Sequence, residues 1–335
     1  MRKIILILTT ICSLGSFAQD LHFTQYFNAP MLVNPANTGF NPDYDFRLGG
    51  NYRTQWASIA TKPYKTMSVW GDVQLFTNRF ENAWMGVGGA LMKDVAGSGQ
   101  LSATKAYASV AYHQLLGLNS LVSLGFNAGY VSKSIDFTKL SFDNQWNGKF
   151  FDITAPSGEN FSSNRVNYFD LQVGLNYALF PSDNLYVNAG FSALHINKPN
   201  ESFFSNNSVS TVVPMRYTAF LNAVYKLNDM WIISPNAYVS KMATSWEYVV
   251  GGMANYNLSG DGTTQLLGGL YYRVGDAIAP VIGFQMNDYK LTFNYDATMS
   301  NIRQYNATRG AYEVSIVKNG VFSQGKAIKC NMPSF

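Results

Sequence analysis

Hydrophobic and polar positions alternate along most of the chain. In Arg165–Asn197, Phe169, Leu171, Val173, Leu175 and Tyr177 alternate with Asp170, Gln172, Gly174 and Asn176. Side chains on a strand face opposite ways at period two, so this run has one apolar face and one polar or small face. Four turn-forming residues, Pro181-Ser182-Asp183-Asn184, follow. A second arm then sets Leu185, Val187, Ala189, Phe191 and Ala193 against Asn188, Gly190 and Ser192. The pattern predicts a long hairpin. It recurs at Val122–Tyr130, at Tyr217–Tyr225 and, most regularly, at Leu291, Phe293, Tyr295 and Ala297.

Fourteen such runs are predicted, at 44–56, 64–76, 82–93, 100–114, 119–133, 165–180, 185–197, 214–227, 230–242, 245–257, 263–273, 278–287, 289–298 and 310–318. Most exceed the roughly five or six residues of a globular strand. The long connections, 134–164, 198–213 and 299–309, all follow odd-numbered runs, while short ones such as Asn228-Asp229 and Ser259–Gly262 follow even-numbered runs. Outer-membrane barrels sort their loops this way, with short periplasmic turns and long external loops. Pro235 and Pro280 fall inside predicted strands, where each marks a bulge or a strand end because proline removes a ladder donor.

The two ends of the chain read differently. Arg2 and Lys3, the apolar run Ile4–Leu14 and Ser16-Phe17-Ala18 make residues 1–19 a secretory signal. The apolar run is too short for a membrane anchor, and Ile11 before Cys12 is not the small residue a lipidation signal needs. Residues 20–43 do not alternate and are broken by Pro30, Pro35 and Pro42, so they form a segment in the periplasm or folded into the lumen. The predicted organisation is signal 1–19, segment 20–43, barrel 44–318 and tail 319–335, the tail ending in an aromatic, Phe335.

Composition suits a transmembrane barrel rather than a helical membrane protein. Charged residues are 13% against a typical ~25%, aromatics reach 15%, and mean hydropathy is only -0.06. A transmembrane barrel needs that mixture, since its strands are apolar outward and polar inward. Without Arg2 and Lys3 the chain has 22 basic and 20 acidic residues. That balance gives no electrostatic case for nucleic acid. Cys330 is the one cysteine beyond the signal, so no internal disulfide forms.

Little in the chain points to catalysis. His22, His113 and His195 have no metal-site spacing, and neither a Gly-x-Ser-x-Gly elbow nor a phosphate-binding loop is present. No cofactor or metal is implied. A triad assembled from distant strands around His113 remains an alternative. Lumen-facing Asp72, Gln74, Asp170, Gln172, Asn222 and Asp296 line the interior or bond a plug. Strand glycines, among them Gly86, Gly88, Gly89, Gly251, Gly252, Gly268 and Gly269, permit curvature and leave room for a plug or ligand. The 134–164 loop carries Phe137, Phe142, Trp146, Phe150, Phe151 and Phe161, either a contact surface or a lid packed over the mouth.

Residues 20–56 resemble the start of the PorP/SprF family of type IX secretion proteins. The resemblance rests on Gln25-Tyr26-Phe27, Asn34-Pro35-Ala36 with Gly39, Asn51-Tyr52-Arg53, Gln55-Trp56, Pro63-Tyr64 and Asp72. It extends to the signal, the strands and the late cysteine, although the chain ends Cys330-Asn331-Met332-Pro333-Ser334-Phe335 where family members often end Cys-Pro-x-Phe. The resemblance implies a non-enzymatic accessory barrel in the outer membrane of a Bacteroidetes-type bacterium. Its implied partners are outer-membrane lipid, the secretion machinery and a secreted surface protein, such as a gliding adhesin, that carries a type IX C-terminal domain. The sequence therefore predicts an all-β, fourteen-stranded antiparallel barrel. The rival function is a channel or hydrophobic-solute transporter.

Overall fold

Fourteen antiparallel strands close into one barrel. The computed structural model describes residues 23–322 except 41–43, 78, 81, 118, 160, 162 and 205–210. The signal, Cys330 and the tail beyond Phe322 lie outside the described residues. The strands are β1 (Phe46–Gln55), β2 (Tyr64–Leu75), β3 (Ala83–Ala96), β4 (Leu101–Leu115), β5 (Ser120–Ser134), β6 (Arg165–Ser182) and β7 (Leu185–Leu194). They continue as β8 (Arg216–Asn228), β9 (Trp231–Met242), β10 (Ser245–Asn257), β11 (Thr264–Arg273), β12 (Ala277–Met286), β13 (Tyr289–Thr298) and β14 (Arg309–Gly320). Each pairs with its chain neighbours, and β1 closes on β14 with Phe46 opposite Gly320. Closure leaves no free sheet edge around the wall, as a lipid-embedded sheet requires.

The alternation sorts side chains as the pattern demands. On β6, Phe169, Val173, Leu175 and Tyr177 are exposed outward while Tyr168, Asp170, Gln172 and Asn176 are buried inward. Aromatic pairs flank the apolar band at both ends. Tyr130–Phe169 and Trp246–Tyr248 lie at one rim, both with ring centroids 5.7 Å apart, and Trp231–Tyr256 at the other, 4.8 Å apart.

The barrel has a loop end and a turn end. Connections 135–164, 195–215 and 299–308 lie at the first; 183–184, 229–230 and 287–288 lie at the second. Pro181 and Ser182 belong to β6, so the predicted four-residue turn shrinks to Asp183-Asn184 with a register shift beside it. Pro235 and Pro280 end no strand. Pro235 pairs with Gly252 on one side, and the β8–β9 ladder lapses on the other. Pro280 pairs with Leu270, while β12–β13 pairing lapses between Ile278 and Val281. Each proline thus interrupts one ladder, as its missing N–H requires.

Candidate functional site

The lumen is occupied by the chain's own Phe23–Phe40, folded as three single helical turns at Tyr26–Asn28, Pro30–Val33 and Pro35–Asn37. Pro30 and Pro35 start their turns, where a missing N–H costs nothing. Asn34 caps the last turn, its Oδ1 accepting from the Ala36 N–H at 2.9 Å. Its Nδ2 donates to the carbonyls of Leu175 on β6 at 2.9 Å and Phe191 on β7 at 3.3 Å. The approach is close because the wall has no side chains there. A Cβ at Gly174 would overlap the Asn34 amide, one at Gly125 the Pro35–Ala36 backbone, and one at Gly86 the Thr38 carbonyl.

Towards the turn end, the segment leaves through a left-handed Gly39 (φ +65°). The Gly39 N–H donates to Asp72 at 2.7 Å, and its carbonyl accepts from Gln74 and Trp84 at 3.0 Å each. Arg47 pairs with Asp72 and donates to the Asn37 carbonyl at 2.8 Å. His113 stacks on Trp84 and has its two ring nitrogens on Ser123 Oγ (2.7 Å) and the Thr38 carbonyl (2.8 Å). His113 and Ser123 are fully buried, and the ring nitrogen not engaged by Ser123 is held by the segment's backbone.

The other end of the segment is tied by charge. Glu313 accepts from the Thr24 and Gln25 backbone N–H groups at 2.9 and 3.0 Å and from Arg53 at 3.2 Å. Asp296 accepts from Arg53 at 2.8 Å, from Arg273 at 2.7 Å and from the Thr24 hydroxyl at 2.9 Å. All four charged side chains are at least nine-tenths buried. Isolated charges there would be costly; two guanidiniums against two carboxylates compensate one another. Gln25 also donates to Asn294 at 2.7 Å, and Tyr26 OH to Asn236 at 2.9 Å.

Two sizeable cavities flank the segment. One, about 690 Å³ at the loop end, is lined by Arg53, Gln55, Trp56, Lys133, His195 and Trp246. The other, about 310 Å³, lies towards the turn end between Tyr26–Phe40 and the inner faces of β7 to β13.

Above the larger cavity, loops 135–164 and 195–215 pack together. Phe137 stacks on Phe161 with centroids 3.6 Å apart, Phe142 lies 5.6 Å from Phe161, and Phe203 and Phe204 of the second loop join them. Glu201 ties the second loop to the wall, accepting from Lys133 at 2.8 Å and Tyr168 at 2.9 Å. Asp136 caps Phe137–Lys139, and hydrogen bonds from Lys139 and Thr138 hold its carboxyl below the usual range. Trp146, Phe150, Phe151 and Ile153 stay exposed, at 50, 57, 48 and 72%.

The six loop aromatics therefore divide, with Phe137, Phe142 and Phe161 packed inside the loop pair and Trp146, Phe150 and Phe151 on its surface. Of the motif residues, Gln25, Tyr26, Asn34, Pro35, Ala36 and Gly39 form the segment, and Arg53 and Asp72 grip it. Gln55 and Trp56 line the larger cavity, while Tyr52 faces outward on β1. Sequence reasoning missed Glu313, Arg273 and Trp84; the signal for the first two was a charge at an inward position near a strand end.

The family described as type IX secretion system membrane protein PorP/SprF matches residues 15–317. No curated protein matches the chain. Solved structures share the fold at low identity. A TodX monoaromatic hydrocarbon channel mutant aligns with a TM-score of 0.57 at 10% identity, covering 88% of this chain and 94% of that one. The Pseudomonas putida toluene transporter TodX gives 0.53 at 11%, covering 90 and 94%. The Ralstonia pickettii toluene transporter TbuX gives 0.51 at 12%, covering 88 and 94%.

Proposed function

Because the chain belongs to the PorP/SprF family of type IX secretion system membrane proteins, we propose that it is a non-enzymatic accessory barrel that binds a secreted partner's C-terminal domain. In this reading it helps export that partner and anchors it on the cell surface, as for a gliding adhesin. The loop end faces outward, the turn end faces the periplasm and the secretion machinery, and a cleaved signal delivers the chain to the outer membrane. The observation that carries the reading, beside the family, is the exposed apolar patch Trp146, Phe150, Phe151 and Ile153 on a braced loop. Exposed aromatic clusters of this kind anchor protein interfaces, where a few residues supply most of the binding energy. Phe137, Phe142 and Phe161 hold the patch in shape rather than meeting the partner.

The test is replacement of Trp146, Phe150 and Phe151 by serine in the native host. Each lost anchor costs about 2 kcal/mol, so surface retention of the partner is expected to fall by more than tenfold. The barrel itself should still show heat-modifiable migration. Unchanged retention by a folded barrel would remove the loop from the partner site. The transporter reading draws on the two cavities and on a fold shared with hydrocarbon channels. Purification of the tagged barrel from its membrane in mild detergent separates the two. Recovery with one large surface protein supports the anchor; recovery alone, in good yield, supports the transporter.

A further inference from the structure

At its loop end the outward face of the barrel differs from one side to the other. On β8 to β11 that rim is aromatic, with Tyr217, Trp246, Tyr248 and Tyr272 exposed, the ordinary girdle of a barrel at the membrane surface. Lys241, opposite both Tyr217 and Trp246, lies over the Trp246 ring, 4.8 Å from its centroid. On β2 to β6 the apolar band ends with one register row, Val69, Leu91, Ala106, Tyr130 and Phe169. The next outward row towards the loops is Met67, Lys93, Thr104, Ser132 and Asn167. The last is Lys65, Val95, Ser102, Ser134 and Arg165. Side chains repeat their direction every second residue, so both rows face outward as Phe169 does.

These two rows hold cations and hydroxyls and no acid. Lys65, Lys93 and Arg165 are exposed, and none of their side chains has a hydrogen bond or ion pair with a described residue. Lys65 and Lys93 are diagonal neighbours on paired strands, roughly 7–8 Å apart, where like charges repel. The acids close by in sequence do not answer them. Asp94 points into the lumen and accepts from Thr66 at 2.6 Å, and Asp136, beyond β5, pairs with Lys139. Scattered rim lysines reach water along their own stems. Here the cations are gathered on one side, with Ser102, Thr104, Ser132 and Ser134 between them, where the other side has aromatic rings.

We propose that this face binds the phosphorylated sugar headgroup of a glycolipid, whose acyl chains lie on Val69, Leu91 and Phe169. One phosphate sits between Lys65 and Lys93 and a second beside Arg165. Strands β3 and β6 are three strand spacings apart, about 14 Å, a distance that a disaccharide with a phosphate at each end spans. The four hydroxyls between the cations hydrogen-bond the sugar. A glycerophospholipid brings one phosphate and fills one end of the site. A protein surface pairs the cations but has no acyl chains for the apolar row directly below. The inference rests on the reading that the loop end faces outward, which puts the lipid in the outer leaflet.

The experiment offers the full chain, in nonionic micelles, bis-phosphorylated lipid A, lipid A stripped of both phosphates, and phosphatidylglycerol. Native mass spectrometry over a concentration series reads the bound lipid. Bis-phosphorylated lipid A is expected to bind at least about tenfold more tightly than the stripped lipid, since the charge-assisted pairs go with the phosphates. Its binding should weaken as salt rises, because the pairs are exposed. Lys65→Gln, Lys93→Gln and Arg165→Gln combined should remove most of the preference, while Lys241→Gln keeps it. All these side chains are exposed, so heat-modifiable migration is expected to stay. Equal binding of intact and stripped lipid A overturns the inference, as does phosphatidylglycerol binding as tightly as lipid A or a triple variant binding like wild type. Orientation is read separately, by labelling a Phe150→Cys chain in intact cells with a membrane-impermeant maleimide, above the parent chain. Labelling without lipid preference in micelles removes the lipid site alone. Absence of labelling removes the outward loop end, and the outer-leaflet lipid with it.

Discussion

Gly86, Gly125 and Gly174 sit on inward positions of three strands, and each lacks a side chain where the lumenal segment touches the wall. Alanine is ordinarily the better strand residue, because glycine loses more conformational freedom on folding. Here the added carbon would meet Asn34, Pro35 or Thr38 atoms already in contact with the wall. Gly174→Ala is therefore expected to destabilise the barrel by about 1–3 kcal/mol, the usual cost of overpacking. Gly268 has open space around its would-be Cβ, so Gly268→Ala should stay within about 0.5 kcal/mol of wild type. The midpoint of urea-driven unfolding in lipid vesicles reads both. Equal effects at the two glycines would mean that the segment is not seated against β6. The buried ion pairs obey the same contact logic at the other end, since the backbone N–H groups of Thr24 and Gln25 are bonded by Glu313 and by no other described group.

Strands carry the part of the structure that a linear reading captures, because each strand's two faces meet only two environments. Leu221 stands outward on β8, 53% exposed, between inward Phe220 and Asn222. An arginine there must enter hydrocarbon near the middle of the strand, and Leu221→Arg is expected to cost about 2–4 kcal/mol of folding stability in vesicles. A cost below about 1 kcal/mol would put Leu221 at an interface and move the membrane band. The alternation at Phe169–Tyr177 fixed the faces of β6 without any long-range information, and the parity of the long connections separated the two barrel ends. Pro235 and Pro280 were ambiguous because the sequence does not say which side of a strand can spare a hydrogen bond. The segment was legible as a break in the alternation with an Asn34–Gly39 turn, but not its seat. Thr24 and Glu313 are 289 positions apart, and their meeting depends on where β1 and β14 close. Loop aromatics obey no period, so packed Phe161 and exposed Phe150 look alike in sequence.

At the scale of the molecule, strand number and lumen content are coupled. Eight strands enclose a lumen that side chains fill, and sixteen or more leave a water channel. Fourteen lie between, and here the remaining space is taken by Phe23–Phe40, held at one end by Arg53, Asp296 and Glu313 and at the other by Asp72, Trp84 and His113. The segment is held at opposite ends of the wall, with the 690 Å³ cavity towards the loop end and the 310 Å³ cavity towards the turn end. The intact barrel is therefore expected to give no steady conductance in a planar bilayer. Deletion of residues 23–40 removes the segment and leaves paired charges lining an aqueous path, so a barrel that still shows heat-modifiable migration should conduct in discrete, stable steps. Conductance by the intact barrel as large as that of the deletion would mean the segment does not close the lumen, and would favour transport over anchoring. A silent intact barrel with a conducting deletion places closure in the segment itself. It also means that anything crossing this barrel must first break the bonds at Glu313 or at Gly39.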